Sequence, residues 1–324
     1  MDTSPTNYNL TFEPDLKKFT FTGLETISVN CKKSVNVIRM NCAELKIKSC
    51  IVKSGGKIIK SSPKTNEKKE ELEIKLGEKI RGSCTVHLEF EGILNDRLLG
   101  FYRSKYQQNG KTKYLATTQF EAADARRAFP CWDEPEAKAT YDISIIAENK
   151  FTAISNMPIK TKKKTGNKTT YHFQKTPLVS TYLIYLGVGE FEYLTGRAGK
   201  IQIRVVTTKG NTSKGKFSLE LGKKLLTSYE KYFGIKFPLP KLDLIAVPDF
   251  AAGAMENWGA ITFRETILLY DPKTSSTRTK QFIAEVISHE IAHMWFGNLV
   301  TMKWWNDLWL NESFATFMAT KFVD

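Results

Sequence analysis

The sequence is short of histidine: only His87, His172, His289 and His293 occur in 324 residues, so chemistry that needs imidazole has four places to reside. Cysteine is nearly as sparse. Cys31, Cys42, Cys50, Cys84 and Cys131 are odd in number and never stand in CxxC spacing. That argues against a disulfide framework and a cysteine-built metal site, and for a reducing compartment. No apolar run approaches the ~20 residues of a membrane-crossing helix, so no membrane partner is expected. The opening MDTSPTNYNL is polar, without the apolar stretch of a secretory leader. The expected location is the cytoplasm.

Acidic residues are in deficit, 34 against 48 Lys and Arg, for a formal net charge of +14. A basic balance raises nucleic acid as a partner. The excess concentrates in residues 1–190, in Lys-rich stretches such as Lys160–Lys164 and Lys53–Lys69 that Gly, Ser, Pro and Asn punctuate as turns do. Aromatic residues of the kind that stack bases are not interleaved with them. Solvated turns are expected there, with no nucleic-acid partner.

What is present is enough for a core: 41% hydrophobic residues in a length that suits about two domains. The first part reads as strands. FTFTGLETISVN (19–30), TVHLEFEG (85–92) and YDISIIAE (141–148) alternate apolar and polar residues between turn-rich segments. Such patterning predicts an antiparallel sandwich or saddle-like sheet over residues 1–190. The pattern then changes, with a boundary near Gly187–Gly196. FSLELGKKLLTSYEKYF (217–233) spaces its apolar groups as a helix, and KLDLIAVPDF (241–250) reads as a buried strand. GAITF (259–263) and ILLY (267–270) read as further strands, Thr279–Phe296 as a core helix, and Asn306–Val323 as the start of another. Residues 191–324 therefore form an α+β second domain.

The stretch SHEIAHMWFGN (288–298) holds two of the four histidines, four residues apart. On a helix that spacing projects His289 and His293 from one face, one turn apart, as two ligands of one zinc ion require. Glu290, between them in sequence, is placed to serve as a general base without being a ligand. A catalytic zinc needs a third protein ligand and an open position for water. In NDLWLNESFATFMAT, Glu312 follows His293 by 19 residues on the next predicted helix. Leu308, Trp309, Leu310 and Phe314 around it suggest a buried setting, in which a carboxylate needs a partner such as a metal. Trp304, Trp305 and Trp309 are expected to pack in the core. Asp124 and Asp133 are expected to pair with Arg126 and Arg127.

With these residues in view, the chain resembles the aminopeptidase N family of zinc metallopeptidases, the gluzincin exopeptidases that include the tricorn-interacting aminopeptidases. Three blocks carry the likeness: HEIAHMWFGNLVTMKWWNDLWLNESFATF (289–317), GAMEN (253–257) and TQFEAADARRAFPCWDEP (118–135). The resemblance implies a thermolysin-like α+β peptidase domain behind an N-terminal β domain, one Zn2+ on His289, His293 and Glu312, and Glu290 as general base. It implies hydrolysis of the N-terminal residue from peptides. It assigns the substrate's free amino end to Glu256 and Glu121, its first residue to Gln119, and its extended backbone to Gly253 and Ala254, with Met255 and Asn257 in the same binding block. A lipid epoxide hydrolase branch of the family carries Gly-Gly-Met-Glu-Asn, whereas this chain has Ala254 at the second position, as the peptidases do.

The family's catalytic tyrosine lies well beyond the third ligand, and this sequence stops at Asp324, twelve residues after Glu312. The resemblance thus implies that the tyrosine and a C-terminal helical remainder fall outside it. Two readings stand: the truncated N-terminal part of a zinc aminopeptidase, or a metal- or peptide-binding fragment without turnover.

Overall fold

A computed structural model describes residues 1–323. Strands β1 (Thr3–Asp15), β2 (Thr20–Asn41), β3 (Lys46–Ser54), β4 (Lys57–Ile59), β5 (Ser61–Asn66) and β6 (Glu71–Ile93) open the chain. They are followed by β7 (Gly100–Gln108), β8 (Lys111–Gln119), β9 (Thr140–Glu148), β10 (Thr152–Ser155), β11 (Ile159–Thr165), β12 (Lys168–Phe173) and β13 (Leu186–Gly189). After these come β14 (Phe191–Ala198), β15 (Ile201–Thr208), helix α1 (Lys216–Phe233), β16 (Lys241–Val247), β17 (Ala254–Met255) and β18 (Ala260–Arg264). Helices α2 (Glu265–Leu268), α3 (Thr277–His293) and α4 (Trp309–Val323) complete it. The described residues form two compact units; the chain passes between them inside strands β7, β8 and β13 and in the connections on either side of β10.

The first unit comprises Met1–Arg103, Ala116–Asn149 and Ile159–Leu186. Its nine-stranded sheet runs β11-β12-β9-β1-β2-β6-β3-β4, with β5 also on β6. The period-two segments read from the sequence lie in β2, β6 and β9 and extend beyond them: β2 and β6 run 22 and 23 residues. Alternation turns Tyr8, Phe12, Phe21, Phe90 and Phe101 inward, where Tyr8 stacks on Tyr141 at 4.8 Å. Arg126 binds Asp133 at 3.0 Å and Arg127 binds Asp124 at 2.8 Å, the pairings expected from the sequence.

The second unit comprises Ser104–Leu115, Lys150–Pro158 and Gly187–Asp324. It holds a mixed five-stranded sheet, β14-β15-β16-β18-β17, in which β15, β16 and β18 are parallel and β17 forms the edge. Helix α1 buries Leu219, Gly222, Leu225, Leu226 and Tyr229, three or four residues apart, and stops at Gly234, whose φ of 67° only glycine adopts readily. The Tyr229 hydroxyl reaches the Ser288 carbonyl at 3.0 Å, joining α1 to α3. The Ser276 side chain caps α3 by accepting from Thr279 N–H at 3.1 Å. This is the β-sandwich region followed by a mixed α/β domain anticipated from the patterning. No helix among the described residues is long and apolar enough to cross a membrane.

Two expectations are corrected. Ile267–Tyr270 is not a strand: Glu265–Leu268 is a helical turn. An apolar run this short suits either state, and here tertiary bonds decide, since Ser218 Oγ donates to the Leu268 carbonyl and Tyr270 N–H to that of Lys214. Trp304 and Trp309 do not pack in the core, being 47% and 61% exposed.

Candidate metal centre

Helix α3 delivers the two histidines as their spacing requires. The Nε2 atoms of His289 and His293 lie 3.0 Å apart. Glu312, in the first turn of α4, brings Oε2 to 3.3 Å from His289 Nε2 and Oε1 to 3.7 Å from His293 Nε2. Two nitrogens and a carboxylate at these separations match the edges of a tetrahedron whose corners stand ~2.0–2.2 Å from a central ion. Two ring nitrogens so close share either a proton or a metal ion, and with Glu312 as the third donor the set suits zinc.

The ring of His293 is oriented from behind. Its Nδ1 stands 2.9 Å from the Phe296 carbonyl, which can only accept, so Nδ1 carries a proton and Nε2 is the nitrogen that faces the cluster. Gly297 allows this turn: its φ is +128°, and a Cβ there would stand 3.2 Å from His293 Nδ1. The surroundings favour positive charge. Burial opposes it, but the Glu256, Glu312 and Glu290 carboxylates prevail and push the His293 pKa up to about 10. Glu312 is raised by burial, yet its bonds to His289 and His293 hold it well below the carboxylate range.

Glu256, Glu290 and His293 bring one ligand-type atom each within 4.8 Å of one another, and all three are buried. Glu290 sits on α3 and is 6% exposed, whereas the Glu312 side chain is 42% exposed, as befits a mouth rather than a core. Leu310, beside Glu312, is 46% exposed. The buried setting expected around Glu312 is therefore not what makes it a ligand; the meeting of α3 and α4 is.

GAMEN lies partly on β17, where Ala254 pairs with Phe263 and Met255 with Thr262. The buried segment 256–258 that follows lies outside the strand ladders and is held by side chains from other parts of the unit, while the Gly259 carbonyl already accepts from Asp243 N–H at 3.0 Å. Asn298 Nδ2 donates to the Glu256 carbonyl at 2.8 Å, Asn156 Nδ2 to that of Trp258 at 3.0 Å, and Lys241 Nζ to that of Gly259 at 2.7 Å. Asn257 Nδ2 reaches Thr262 Oγ1 at 3.1 Å, and Arg264 holds the Phe250 and Ala251 carbonyls upstream. Gly259 is required: its φ is +78°, and a Cβ would meet the Asn156 carbonyl at 2.7 Å. Sequence reasoning passed over Asn298, Asn156 and Lys241. Lys241, one charge opening the apolar strand KLDLIAV, was the available signal.

Gln119, at the end of β8, and Glu121, just after it, belong to the first unit. Gln119 is buried and its Oε1 has no hydrogen-bond partner among the described residues. A cavity of about 880 Å³ in the first unit is lined by Glu44, Glu70 and Arg127 among others, but these charges bind one another and no residue of the histidine cluster lines it.

Comparison with known proteins agrees with this geometry. The Peptidase M1 N-terminal domain matches residues 4–183, and the Peptidase family M1 domain matches residues 217–324. The chain belongs to peptidase family M1. Over 323 residues it is 46% identical to Aminopeptidase M1 of Arabidopsis thaliana, covering 97% of this chain and 37% of that one. It is 46% identical to a puromycin-sensitive aminopeptidase of Caenorhabditis elegans, covering 98% and 34%, and 44% identical to an alanine/arginine aminopeptidase of Saccharomyces cerevisiae, covering 98% and 37%. The chain thus spans little more than a third of the length of these M1 relatives.

Proposed function

We propose that the chain carries the metal-binding and amine-binding parts of a zinc aminopeptidase that removes the N-terminal residue of peptides. One observation carries this reading: three converging zinc-type ligand atoms stand beside two further buried carboxylates, Glu290 and Glu256. Endopeptidase chemistry needs one such carboxylate as a base. The second suits a charged amino terminus, which on leaving water demands charge-assisted hydrogen bonds.

Zinc held by His289, His293 and Glu312 would polarise the scissile carbonyl and lower the pKa of water toward ~7. Glu290 takes the proton of the attacking water and passes it to the departing amine nitrogen. Glu256, whose Oε1 has no hydrogen-bond partner among the described residues, accepts from the substrate ammonium. Because β17 is an edge strand, an extended peptide can pair along it. The Gly253 carbonyl already accepts from Arg264 N–H at 2.9 Å, so alternation turns the Ala254 N–H and C=O to the open edge. Met255 and Asn257, both buried, set the pitch of that segment. For Gln119 and Glu121 the support is the family resemblance alone. Cytoplasmic location is part of the proposal, supported by five cysteines that are all free thiols. So is a C-terminal partner segment corresponding to the remaining length of the M1 relatives.

The test is zinc content after dialysis against metal-free buffer and reloading, followed by release of an aminoacyl chromophore. One zinc per chain is expected, lost in His293→Ala and in Glu312→Gln, with turnover abolished in Glu290→Gln while zinc stays. Zinc and amine-ligand binding without turnover would mark a binding fragment. A chain that takes up no zinc at all would sink the proposal.

A further inference from the structure

Asn298 is bonded at both ends to the centre. Its backbone N–H donates to the carbonyl of the metal ligand His293 at 3.1 Å, and its side-chain Nδ2 donates to the carbonyl of Glu256 at 2.8 Å. It is fully buried, and the positive φ of Gly297 is what turns the chain so that residue 298 points back under α3. Glu256 itself lies one residue past the end of β17, so no strand pairing fixes its backbone. The carbonyl that Asn298 holds is one bond from the Cα that carries the Glu256 carboxylate.

We propose that Asn298 is a positioning residue that sets the spacing between the metal ligands and the carboxylate that receives the substrate's amino group. The inference rests on Glu256 being that carboxylate. An amino group and the carbonyl of the same residue are separated by one carbon, so the amine anchor and the metal must stand at one fixed span. A tie with one end on a metal ligand and the other on the anchor imposes that span directly. An amide suits the role because Glu256 offers a carbonyl, which needs a donor; a carboxylate of the same shape offers none. Displacement by about 1 Å at such a centre costs on the order of 10²-fold in productive fit.

The experiment compares two zinc-directed probes on the zinc-loaded chain by calorimetry: leucine hydroxamate, and 4-methylpentanoyl hydroxamate, which lacks only the amine. The ratio of their dissociation constants measures the amine anchor apart from the metal. In Asn298→Asp and Asn298→Ala, zinc content and affinity for the amine-free probe are expected to stay within about twofold, while the amine preference falls by roughly tenfold or more. Asn298→Ala covers the case in which the new carboxylate harms folding. An amine preference unchanged in either zinc-retaining variant overturns the proposal. So does loss of zinc in both, because Asn298 would then build the metal site rather than tie it to the anchor. If the unaltered chain itself prefers neither probe, the assignment of Glu256 fails instead, an outcome read without any variant.

Discussion

Lys241 Nζ lies 2.7 Å from Asp243 Oδ2, on one face of β16, with both residues essentially sealed from solvent. Arg204 grips the same carboxylate with two bonds of 2.6 Å, and Lys241 spends its other donors on the Ser155 and Gly259 carbonyls at 2.7 Å each. A buried charge group thus holds the backbone just after GAMEN. Burial lowers the Lys241 pKa to about 8 against the pull of Asp243.

The sign of the pH effect follows. An unfolded lysine titrates near ~10.4, so between about 8 and that value the unfolded chain binds the extra proton and stability rises with pH. Below pH 8 both states are protonated and the slope vanishes. Lys241→Met should lose about 1–3 kcal/mol at neutral pH, as two buried carbonyls lose a donor, and should lack the alkaline rise. Urea midpoints at pH 7.5, 9 and 10 measure both; parallel curves would refute the assignment.

Glu25 is the opposite case. It is 2% exposed on the inward face of β2, neither carboxylate oxygen has a hydrogen-bond partner among the described residues, and burial raises its pKa well above the usual range. The folded chain keeps its proton while the unfolded one releases it above ~4.3, so stability falls as pH rises through that value. Glu25→Leu should stabilise the protein by about 1–3 kcal/mol at pH 7. The gain should shrink below pH 4, where both states are protonated. Thermal unfolding at pH 4 and pH 7 checks it, and a variant less stable at pH 7 would show that the carboxyl has an unseen role.

Trp309 and Phe317 on α4 are 61% and 57% exposed, with Trp304 and Leu310 also near half. Apolar side chains this open bind hydrophobic dyes or one another. The chain should bind an anilinonaphthalene dye and self-associate in the tens of micromolar, and Trp309→Ser with Phe317→Ser should weaken both effects severalfold while leaving zinc content unchanged. Sedimentation and dye fluorescence read the two separately.

Much of this was legible in the sequence because it is local. His289 and His293 meet because a helix turns every 3.6 residues, which needs no knowledge of anything else in the chain. The strands of the first unit likewise follow from alternation along FTFTGLETISVN and TVHLEFEG, although β2 and β6 extend well past these segments through stretches with weaker patterning. Ile267–Tyr270 was misread because four apolar residues satisfy either period, and bonds to α1 and to the segment before it settle the matter.

The sequence by itself determined most of the element types, Ile267–Tyr270 excepted, together with the histidine pair and the acids in motif positions that accompany it. Only the tertiary structure decided that Glu312 reaches the two imidazoles by the meeting of α3 and α4, and not through burial of its surroundings. Only the tertiary structure placed Asn298, Asn156 and Lys241 on the Glu256, Trp258 and Gly259 carbonyls of one segment. The reason is physical. Periodicity is written into neighbouring residues, whereas a carbonyl left without a ladder partner takes whichever donor the folded chain brings to it.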